Sequence, residues 1–427
     1  MKMASIRKKC QPMAPTGIAA TLMEKGQTIH SKFKLTTPKH KAETHSKIDA
    51  SSELARQLLE NDVFIIDEVS QVDRFVLRAI DNCLQDLTGI KRPFGNKMII
   101  LAGDFRQCLP VVAEESRPFH TAENVHLKAD TEMWLRFSRL TLVRNRRADV
   151  NADAFKEWVM RIGNGLEERI NGTSLIRVPD HLLCELDLIE SVYGEGVISI
   201  DSIRTSNRAI LCPTNEDSLE INECILERVE GELVEPYVSV DSIVTTGDDE
   251  TVIPLEHAHT QTPNGYPPHV LNLKVGAIVM LIKNWNIPMG LCNGTRLRVV
   301  QCNRHFIKCA ILAGVRKDQE FCFSRVKFSP SDKDTHRIER FQFPFRLAFA
   351  MTINKSQGQT FDKIGILLRT PVFAHGQLYV AVSRVRNFQS LTFAVSTIDR
   401  GERRQGEVDG QVGTYTQNIV NQAVLRG

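Results

Sequence analysis

Residues 63–68 read VFIIDE, four apolar residues that end at the acids Asp67 and Glu68. Further apolar runs of similar length lie at 98–102, 209–212, 364–368 and 391–395. Short continuous apolar runs of this kind are typical of strands inside parallel sheets that are covered on both faces. Helical patterns lie between the runs, so the sequence predicts an α/β fold built of layers.

The polar residues that follow these runs are the first candidates for a functional site. Gly103 and Asp104 follow the run at 98–102, and Pro213 follows the run at 209–212. Ligands of parallel sheets bind beyond the carboxyl ends of the strands. The ends of these runs are therefore where a site is expected.

The stretch from 271 to 345 has a different pattern. Its β-rich pieces are short, and they lie at 277–282, 296–300 and 306–312. Asn293-Gly294 stands between the first two pieces and is a strong hairpin signal. We expect a small antiparallel barrel inserted in the second α/β unit.

The composition bounds the class of protein. A chain of 427 residues is too long for one ordinary core and predicts two or three domains. The net charge of +3 excludes a strongly basic coat, although a local basic groove is compatible with it. No apolar run approaches the roughly 20 residues that a membrane-spanning helix needs.

The ten cysteines are scattered and contain no C-x-x-C pair, which favours a reducing compartment. Cys302, His305 and Cys309 form the tightest group. A zinc site is one interpretation of this group. A set of reduced, partly buried thiols is the favoured one.

Asp67 and Glu68 form the arrangement known as Walker B. One carboxylate there holds Mg²⁺, usually through water, and the second orients or deprotonates the attacking water. The alternative is an acidic pair that closes a strand onto solvent. Gln107, after the neighbouring apolar run, is placed to sense a γ-phosphate, and together with the two acids it favours an NTPase.

Two arginines and a turn extend the candidate set. Arg147 ends residues 142–147, and Arg384 ends the helix-like stretch 377–384. A guanidinium fork matches the oxygens of a phosphate and accelerates phosphoryl transfer by about 10³-fold or more. Residues 355–360 (KSQGQT) form a polar turn of the kind that presents backbone N–H groups to phosphates. A surface charge or a simple connection is the alternative for each taken alone.

In this order the motifs resemble the petite-integration-frequency (Pif) family of 5′-to-3′ DNA helicases. The motif sequences are especially similar to those in the helicase half of Helitron-type mobile elements. The matching segments span nearly the whole chain: 16–20, 28–31, 65–70, 103–111, 145–147, 213–215, 291–295, 352–360 and 373–386.

The resemblance implies two RecA-like parallel-sheet domains, the first one incomplete, and a small SH3-like β-barrel inserted in the second. ATP would lie in the cleft between the domains, and single-stranded DNA would cross their tops. The expected segments are a first domain at 1–147, a helical connector at 148–200, a second domain at 201–270 and 346–400, a barrel at 271–345 and a flexible tail at 401–427.

Carried over residue by residue, the resemblance makes Asp67 the metal ligand and Glu68 the carboxylate that acts on water. Gln107 becomes the coupling glutamine, and Arg147 and Arg384 become two arginine clamps. The expected nucleotide-binding residues are Lys355, Gln357 and Gly358. The expected nucleic-acid-binding residues are Thr16, Gly17, Thr28, His30, Pro213, Thr214, Asn215 and Ser356.

One element of the family pattern is missing from the sequence. No G-x-x-x-x-G-K-[ST] loop occurs in it, and in P-loop NTPases that loop holds the phosphates and Mg²⁺. Its absence is expected to expose a sheet edge and to weaken ATP binding. Two interpretations stay open, a truncated sequence of an active helicase and a decayed module that binds single-stranded DNA without hydrolysis. A non-motor α/β enzyme such as a nucleotide kinase is disfavoured by the order of the motifs.

The resemblance also implies the biology. ATP is the expected substrate, Mg²⁺ the expected cofactor, and single-stranded, forked or structured DNA the expected partner of a monomer that contacts no membrane. The implied roles are DNA repair, recombination and telomere maintenance. The implied compartment is the nucleus, with the mitochondrion as the alternative.

Overall fold

A computed structural model of the chain describes residues 8–35, 44–109, 126, 128, 130–142, 145–170, 173–185, 187–205, 207–244, 255–263, 265–314, 316–330, 338–395, 405–408 and 411–426. The strands in this part of the chain are β1 (Cys10–Ala14), β2 (Gln27–Thr28), β3 (Val63–Ile66), β4 (Met98–Leu101), β5 (Leu175–Arg177), β6 (Arg208–Cys212), β7 (Tyr237–Val238), β8 (Val240–Ile243), β9 (Val270–Leu271), β10 (Ile278–Leu281), β11 (Arg296–Cys302), β12 (Ile307–Ile311), β13 (Glu320–Phe323), β14 (Val326–Phe328), β15 (Ile338–Gln342), β16 (Phe345–Leu347), β17 (Ala350–Thr352), β18 (Lys363–Leu368), β19 (Leu391–Val395), β20 (Gln405–Val408) and β21 (Gln411–Gln417).

The α-helices in the same ranges are α1 (Gly17–Thr21), α2 (Ile29–Phe33), α3 (Glu53–Leu59), α4 (Arg74–Thr88), α5 (Thr131–Trp134), α6 (Asp153–Asn164), α7 (Leu188–Tyr193), α8 (Ile200–Thr205), α9 (Asn215–Arg228), α10 (Leu255–Thr260), α11 (Gln377–Val382) and α12 (Gln422–Arg426). Within the described ranges, no helix has both the length and the apolar character needed to cross a bilayer.

The first lobe is built on a parallel sheet of order β2-β1-β3-β4. β3 is one of its two inner strands and pairs with β4 in the register Ile66 to Leu101. Phe64 and Ile66 are fully buried because the apolar stripe of α4, including Ile80, packs into the same core. The run at 63–66 is thus a covered parallel strand, as its composition predicts.

β1 is a strand that the search for apolar runs misses. It contains Gln11 and Pro12, yet it pairs in parallel with both β2 and β3. Pro12 lacks a backbone N–H, which makes a proline unusual inside a sheet. The pairing with β3 defines this strand more than its own composition does.

β4 lies at the edge of the described sheet, with β3 as its only strand partner in that part of the chain. Met98 in this strand is 58% exposed. An exposed apolar edge strand offers unpaired backbone groups to a further strand.

The second lobe is built on a parallel sheet of order β17-β6-β18-β19. The register places Ile366 of β18 beside Leu211 of β6 and Phe393 of β19. Ile366 and Leu211 are fully buried in a large shared core. The apolar runs at 209–212, 364–368 and 391–395 are therefore all strands of one sheet.

An antiparallel sheet of order β13-β12-β11-β10-β16 joins the second lobe. Its strands confirm the expected β-rich pieces, and Gly294 makes the turn before β11 with a φ of 94°. The sheet extends past residue 345, because β16 pairs with β10. β8 pairs with β15, so segment 201–270 also contributes a strand to this region.

The expectation of a flexible tail at 401–427 is wrong for the described part of that segment. β21 pairs with β20 and also with β5 of the segment that connects the lobes. Tyr415 and Val424 are fully buried, and the Asn418 side chain donates a hydrogen bond to the Ile162 carbonyl. The prediction of a flexible tail followed from the polar composition of this segment, but a few buried apolar residues anchor it.

Candidate functional site

The acidic pair lies at the carboxyl end of β3, where the backbone leaves the sheet. Glu68 has φ 53° and ψ 44°, a left-handed conformation that costs a non-glycine residue about 1–3 kcal/mol. The Val69 amide donates to the Ala102 carbonyl at 3.0 Å. A Cβ on Gly103 would lie 2.7 Å from the Val69 nitrogen, so glycine is required for this close approach. The loop after β4 thus holds Glu68 in its strained conformation.

Glu68 has an incompletely satisfied carboxylate. Its Oε2 is buried and has no hydrogen-bond partner among the described residues. Burial, followed by the charge of Asp67, raises the pKa of Glu68, and the positive charges of Arg384 and Arg147 oppose that rise. A buried carboxylate oxygen without a partner is destabilising unless a ligand or water engages it.

The loop after β4 crosses to the second lobe. The Tyr379 hydroxyl of α11 donates to Asp104 Oδ2 at 2.6 Å, and Arg106 donates to Asp104 Oδ1 at 3.1 Å. Arg106 also donates to the Asn164 side chain at 2.9 Å. Burial, followed by the Asp104 charge, raises the pKa of Tyr379, which keeps the hydroxyl protonated as the donor. This network connects the two lobes beside Glu68.

Gln107 sits at this junction. It is almost fully buried, and Gln357 donates to its Oε1 at 3.4 Å. The backbone of the loop packs so closely that a Cβ on Gly376 would lie 2.1 Å from the Arg106 carbonyl oxygen. His375 Nε2 donates to the Phe105 carbonyl at 2.8 Å. The structure therefore brings Gln107 together with the turn that contains Gln357.

The two arginines lie on the second-lobe side of Glu68. Arg384 is 1% exposed, and its nitrogens donate to the Val380 and Gln359 carbonyls and to the Ser383 hydroxyl. Burial, followed by the charge of Arg147, lowers the pKa of Arg384 to about 10.

Arg147 is exposed and donates to the Ser383 carbonyl at 3.0 Å. The two guanidinium groups thus meet at Ser383 and repel each other. Glu68 is the carboxylate whose charge acts on Arg384. Two neighbouring guanidinium groups of this kind favour a bound anion.

Lys355 begins the polar turn that faces the first lobe. It reaches solvent, while the dense protein around its ammonium lowers its pKa to about 8, with the charge of Arg346 as the second cause. Gly358 has a φ of 75°, and a Cβ there would lie 3.7 Å from the Ile18 side chain. Ser356 is fully buried, and its hydroxyl donates to the Ile353 carbonyl at 2.6 Å. Ser356 shapes the turn, which revises its prediction as a DNA-binding residue.

The predicted nucleic-acid residues of the first lobe follow β1 and β2. Thr16 is exposed and caps α1 by accepting from the Ala19 amide, and Thr28 caps α2 by accepting from the Ser31 amide. His30 lies half-buried in α2. These positions lie at the carboxyl ends of parallel strands, where ligand sites are expected.

Gly17 has a different neighbour from the predicted one. It is buried, and a Cβ there would lie 2.5 Å from Cβ of Cys292 in the antiparallel region. A Cβ on Gly294 would lie 2.3 Å from the Ile18 side chain. The absence of a side chain at 17 accommodates this contact within the protein, which revises its prediction as a direct DNA contact.

In the second lobe, Thr214 and Asn215 follow β6. Thr214 caps α9 by accepting from the Asp217 amide, and its hydroxyl donates to Asp217 Oδ2 at 2.6 Å. Thr214 and Asn215 are half-buried. Pro213 is buried, which argues against its prediction as a nucleic-acid contact.

The comparisons with known proteins agree with this geometry. A family model described as PIF1-like helicase matches residues 1–173, and one described as DNA helicase Pif1, 2B domain, matches residues 256–302. The ATP-dependent DNA helicase PIF1 of Homo sapiens is 29% identical over 332 residues, which cover 77% of this chain and 45% of the human protein. The chain belongs to the PIF1-like helicase family.

Solved PIF1-family structures share the fold. Pif1 helicase from Bacteroides in complex with ADP-AlF3 and ssDNA has a TM-score of 0.64 and 26% identity, covering 92% of this chain and 83% of the other. A second structure, which describes two coordinating Pif1 helicases that unwind forked dsDNA, has the same TM-score, identity and coverage. The two parallel sheets are thus the RecA-like domains of the PIF1 fold.

Sequence reasoning assigned no role to several residues of this PIF1-like cleft. Asp104, Arg106, Asn164, His375 and Tyr379 join the lobes by hydrogen bonds. Asp104 and Arg106 stand inside the same GDFRQ motif that led to Gln107, and Tyr379 lies in the Arg384 segment. The motifs pointed to the right segments, while the partners within them depend on the packing.

Proposed function

We propose that this chain is the motor region of an ATP-dependent DNA helicase that moves 5′-to-3′ on single-stranded DNA. The observation that supports the proposal is the meeting of Glu68 from the first lobe with the charges of Arg384 and Arg147. The Gln107–Gln357 contact lies at the same junction. A cleft that changes charge on hydrolysis is suited to coupling two lobes to a track.

The residues divide the chemistry between the two lobes. Asp67 would hold Mg²⁺, which neutralises charge on the phosphates, and the partnerless Glu68 Oε2 fits a carboxylate that accepts a proton from water. Arg384 and Arg147 would stabilise the charge of the transferred phosphoryl group. Gln107 would report the state of the cleft to the turn that contains Gln357.

A second function is favoured by the sequence itself. The chain contains no G-x-x-x-x-G-K-[ST], so its own residues do not supply the usual grip on the β- and γ-phosphates. Single-stranded DNA binding needs no such loop and depends on phosphate and stacking contacts. The alternative is therefore a module that binds single-stranded DNA without hydrolysis.

Two measurements on the purified chain separate these functions. Fluorescence anisotropy with a labelled oligothymidylate, at low and moderate salt, reports DNA binding, and phosphate release with and without that DNA reports hydrolysis. Helicase function predicts both activities, with the hydrolysis lost in Glu68→Gln and the DNA binding kept. Salt-sensitive DNA binding without hydrolysis supports the alternative. Absence of DNA binding at low salt contradicts both.

The wider biology is proposed from the family. The solved relatives support single-stranded DNA and forked duplexes as partners. We propose a monomer that acts in DNA repair, recombination or telomere maintenance, within the Helitron-like branch. Cysteines that form no disulfide in the described part of the chain are compatible with the nucleus, or alternatively the mitochondrion, as the compartment.

A further inference from the structure

Three metal-binding side chains come together in the second half of the chain, away from the acidic pair. Asp241 lies on β8, His259 lies in α10, and His269 directly precedes β9. One ligand atom of each residue lies within 4.8 Å of the others. None of the three takes part in the proposed ATP chemistry.

The two imidazoles lie face to face. Their ring centroids are 3.9 Å apart, and the planes differ by 14°. His269 Nδ1 lies 3.2 Å from Asp241 Oδ2 and 2.8 Å from the Ser239 hydroxyl. The Asp241 side chain is fully buried, His269 is 15% exposed and His259 is half-buried. The imidazoles thus form the accessible side of the cluster.

Arg340 holds the segments that bear these residues. It is fully buried and forms two hydrogen bonds to Asp241, at 2.9 Å and 2.7 Å. It also donates to the carbonyls of Ala258, next to His259, and of Pro267, two residues before His269. One side chain therefore fixes the carboxylate and the backbone beside both imidazoles, which is the kind of outer support that metal ligands have.

We propose that Asp241, His259 and His269 form a zinc-binding site. Two imidazole nitrogens and one carboxylate oxygen are a common ligand set for Zn²⁺, with water at the fourth position. Zn²⁺ ligands lie about 2.0–2.2 Å from the ion, so side-chain rotations at His259 and His269 would bring the nitrogens inward. Imidazole ligands disfavour Mg²⁺ and Ca²⁺, which take oxygen ligands.

Arg340 also sets a limit on the affinity. Its positive charge lies beside Asp241 and opposes a divalent cation, so binding is weaker than at a closed site of four ligands. The bound ion would connect α10 to β8 and to the start of β9. It would thereby stabilise this region independently of ATP or DNA.

The test uses the whole chain, stripped with a chelator and titrated with Zn²⁺ in excess Mg²⁺. We expect one equivalent of bound Zn²⁺ per chain by elemental analysis. His259→Gln and His269→Gln should each weaken binding about tenfold or more. His181→Gln, which removes an exposed histidine outside any candidate metal site, is the matched control and should leave binding unchanged.

Two further readouts keep the proposal open to refutation if a variant does not fold. Co²⁺ in place of Zn²⁺ should show ligand-field bands without the strong thiolate band that a cysteine site produces. Zn²⁺ should protect His259 and His269 of the unmodified chain from diethylpyrocarbonate while His181 reacts as before. Absence of Zn²⁺ binding, a thiolate spectrum or equal reaction of all three histidines would overturn the site.

Discussion

Two buried arginines differ in the partners that surround them. Arg340 is fully buried and pairs with the carboxylate of Asp241 through two hydrogen bonds. Arg384 is equally buried but donates only to carbonyls and a hydroxyl, and it forms no ion pair with a carboxylate among the described residues. A buried charge without a paired counter-ion is costly. The difference distinguishes a charge that holds the fold from one that is available to a ligand.

The largest effect is expected at the arginine without a counter-ion. In a preparation that hydrolyses ATP, Arg384→Ala should slow steady-state hydrolysis about 10³-fold, because the charge that stabilises the transition state is removed. Arg304→Ala, at an exposed position, should leave the rate unchanged. An unchanged rate in the Arg384 variant would refute the role of Arg384 in stabilising the transition state. The contrast between a structural Arg340 and a functional Arg384 would then fail.

The paired arginine should instead affect stability. Arg340→Leu leaves Asp241 buried and uncompensated, so the free energy of unfolding should fall by about 3–5 kcal/mol in urea titrations. Lys91→Ala breaks an exposed pair with Asp86 and should cost less than about 1 kcal/mol. Equal losses in the two variants would contradict the assignment of Arg340 as a structural charge.

Removal of one hydroxyl group should weaken the junction between the lobes. Tyr379→Phe removes the hydroxyl that donates to Asp104, and we expect a loss of about 1.5 kcal/mol. Hydrogen exchange should increase at residues 103–108 and at α11 together. Tyr193→Phe removes a hydrogen bond to the Phe349 carbonyl inside the second lobe, and it should leave exchange at 103–108 unchanged. If hydrogen exchange at 103–108 is similar in the two variants, Tyr379 has no specific role in joining the lobes.

The smallest effect concerns the pH dependence of Glu68. Its pKa is raised in the folded chain, so the protonated form is favoured there and ionisation costs stability. This cost is absent below the ordinary carboxyl pKa and develops as the pH rises toward the raised value. Glu68→Gln should therefore be more stable than the unmodified chain at pH 7, with a smaller difference at pH 4. Thermal unfolding of both proteins at the two pH values measures this stability difference. A stability difference that does not change with pH would contradict the raised pKa of Glu68.

Much of the fold was accessible from local patterns. The run at 63–66 predicts β3, and the runs at 209–212 and 364–368 predict the centre of the second sheet, because covered parallel strands need continuous apolar residues. β1 was not accessible in this way. Its polar and proline residues form a strand because β3 supplies a partner.

The candidate site divides in the same way. Glu68, Gln107 and Arg384 stand in motifs that the sequence displays, and the structure brings them to one junction. Ser356 and Gly17 stand in equally visible motifs, yet both are buried in contacts within the protein. A motif specifies which residue types are near a site, whereas exposure depends on packing, as the contact between Gly17 and the distant Cys292 shows.

The sequence by itself determined the α/β class, the positions of the inner strands and the family, because these follow from local composition and from the order of motifs along the chain. Only the tertiary structure decided that Arg384 has no ion-pair partner among the described residues, that Arg340 pairs with Asp241 and that the segment around Tyr415 packs against β5. The physical reason is that the balance of a buried charge and the partner of a strand are properties of neighbours in space. Those neighbours are distant in the chain and leave no local periodic signal.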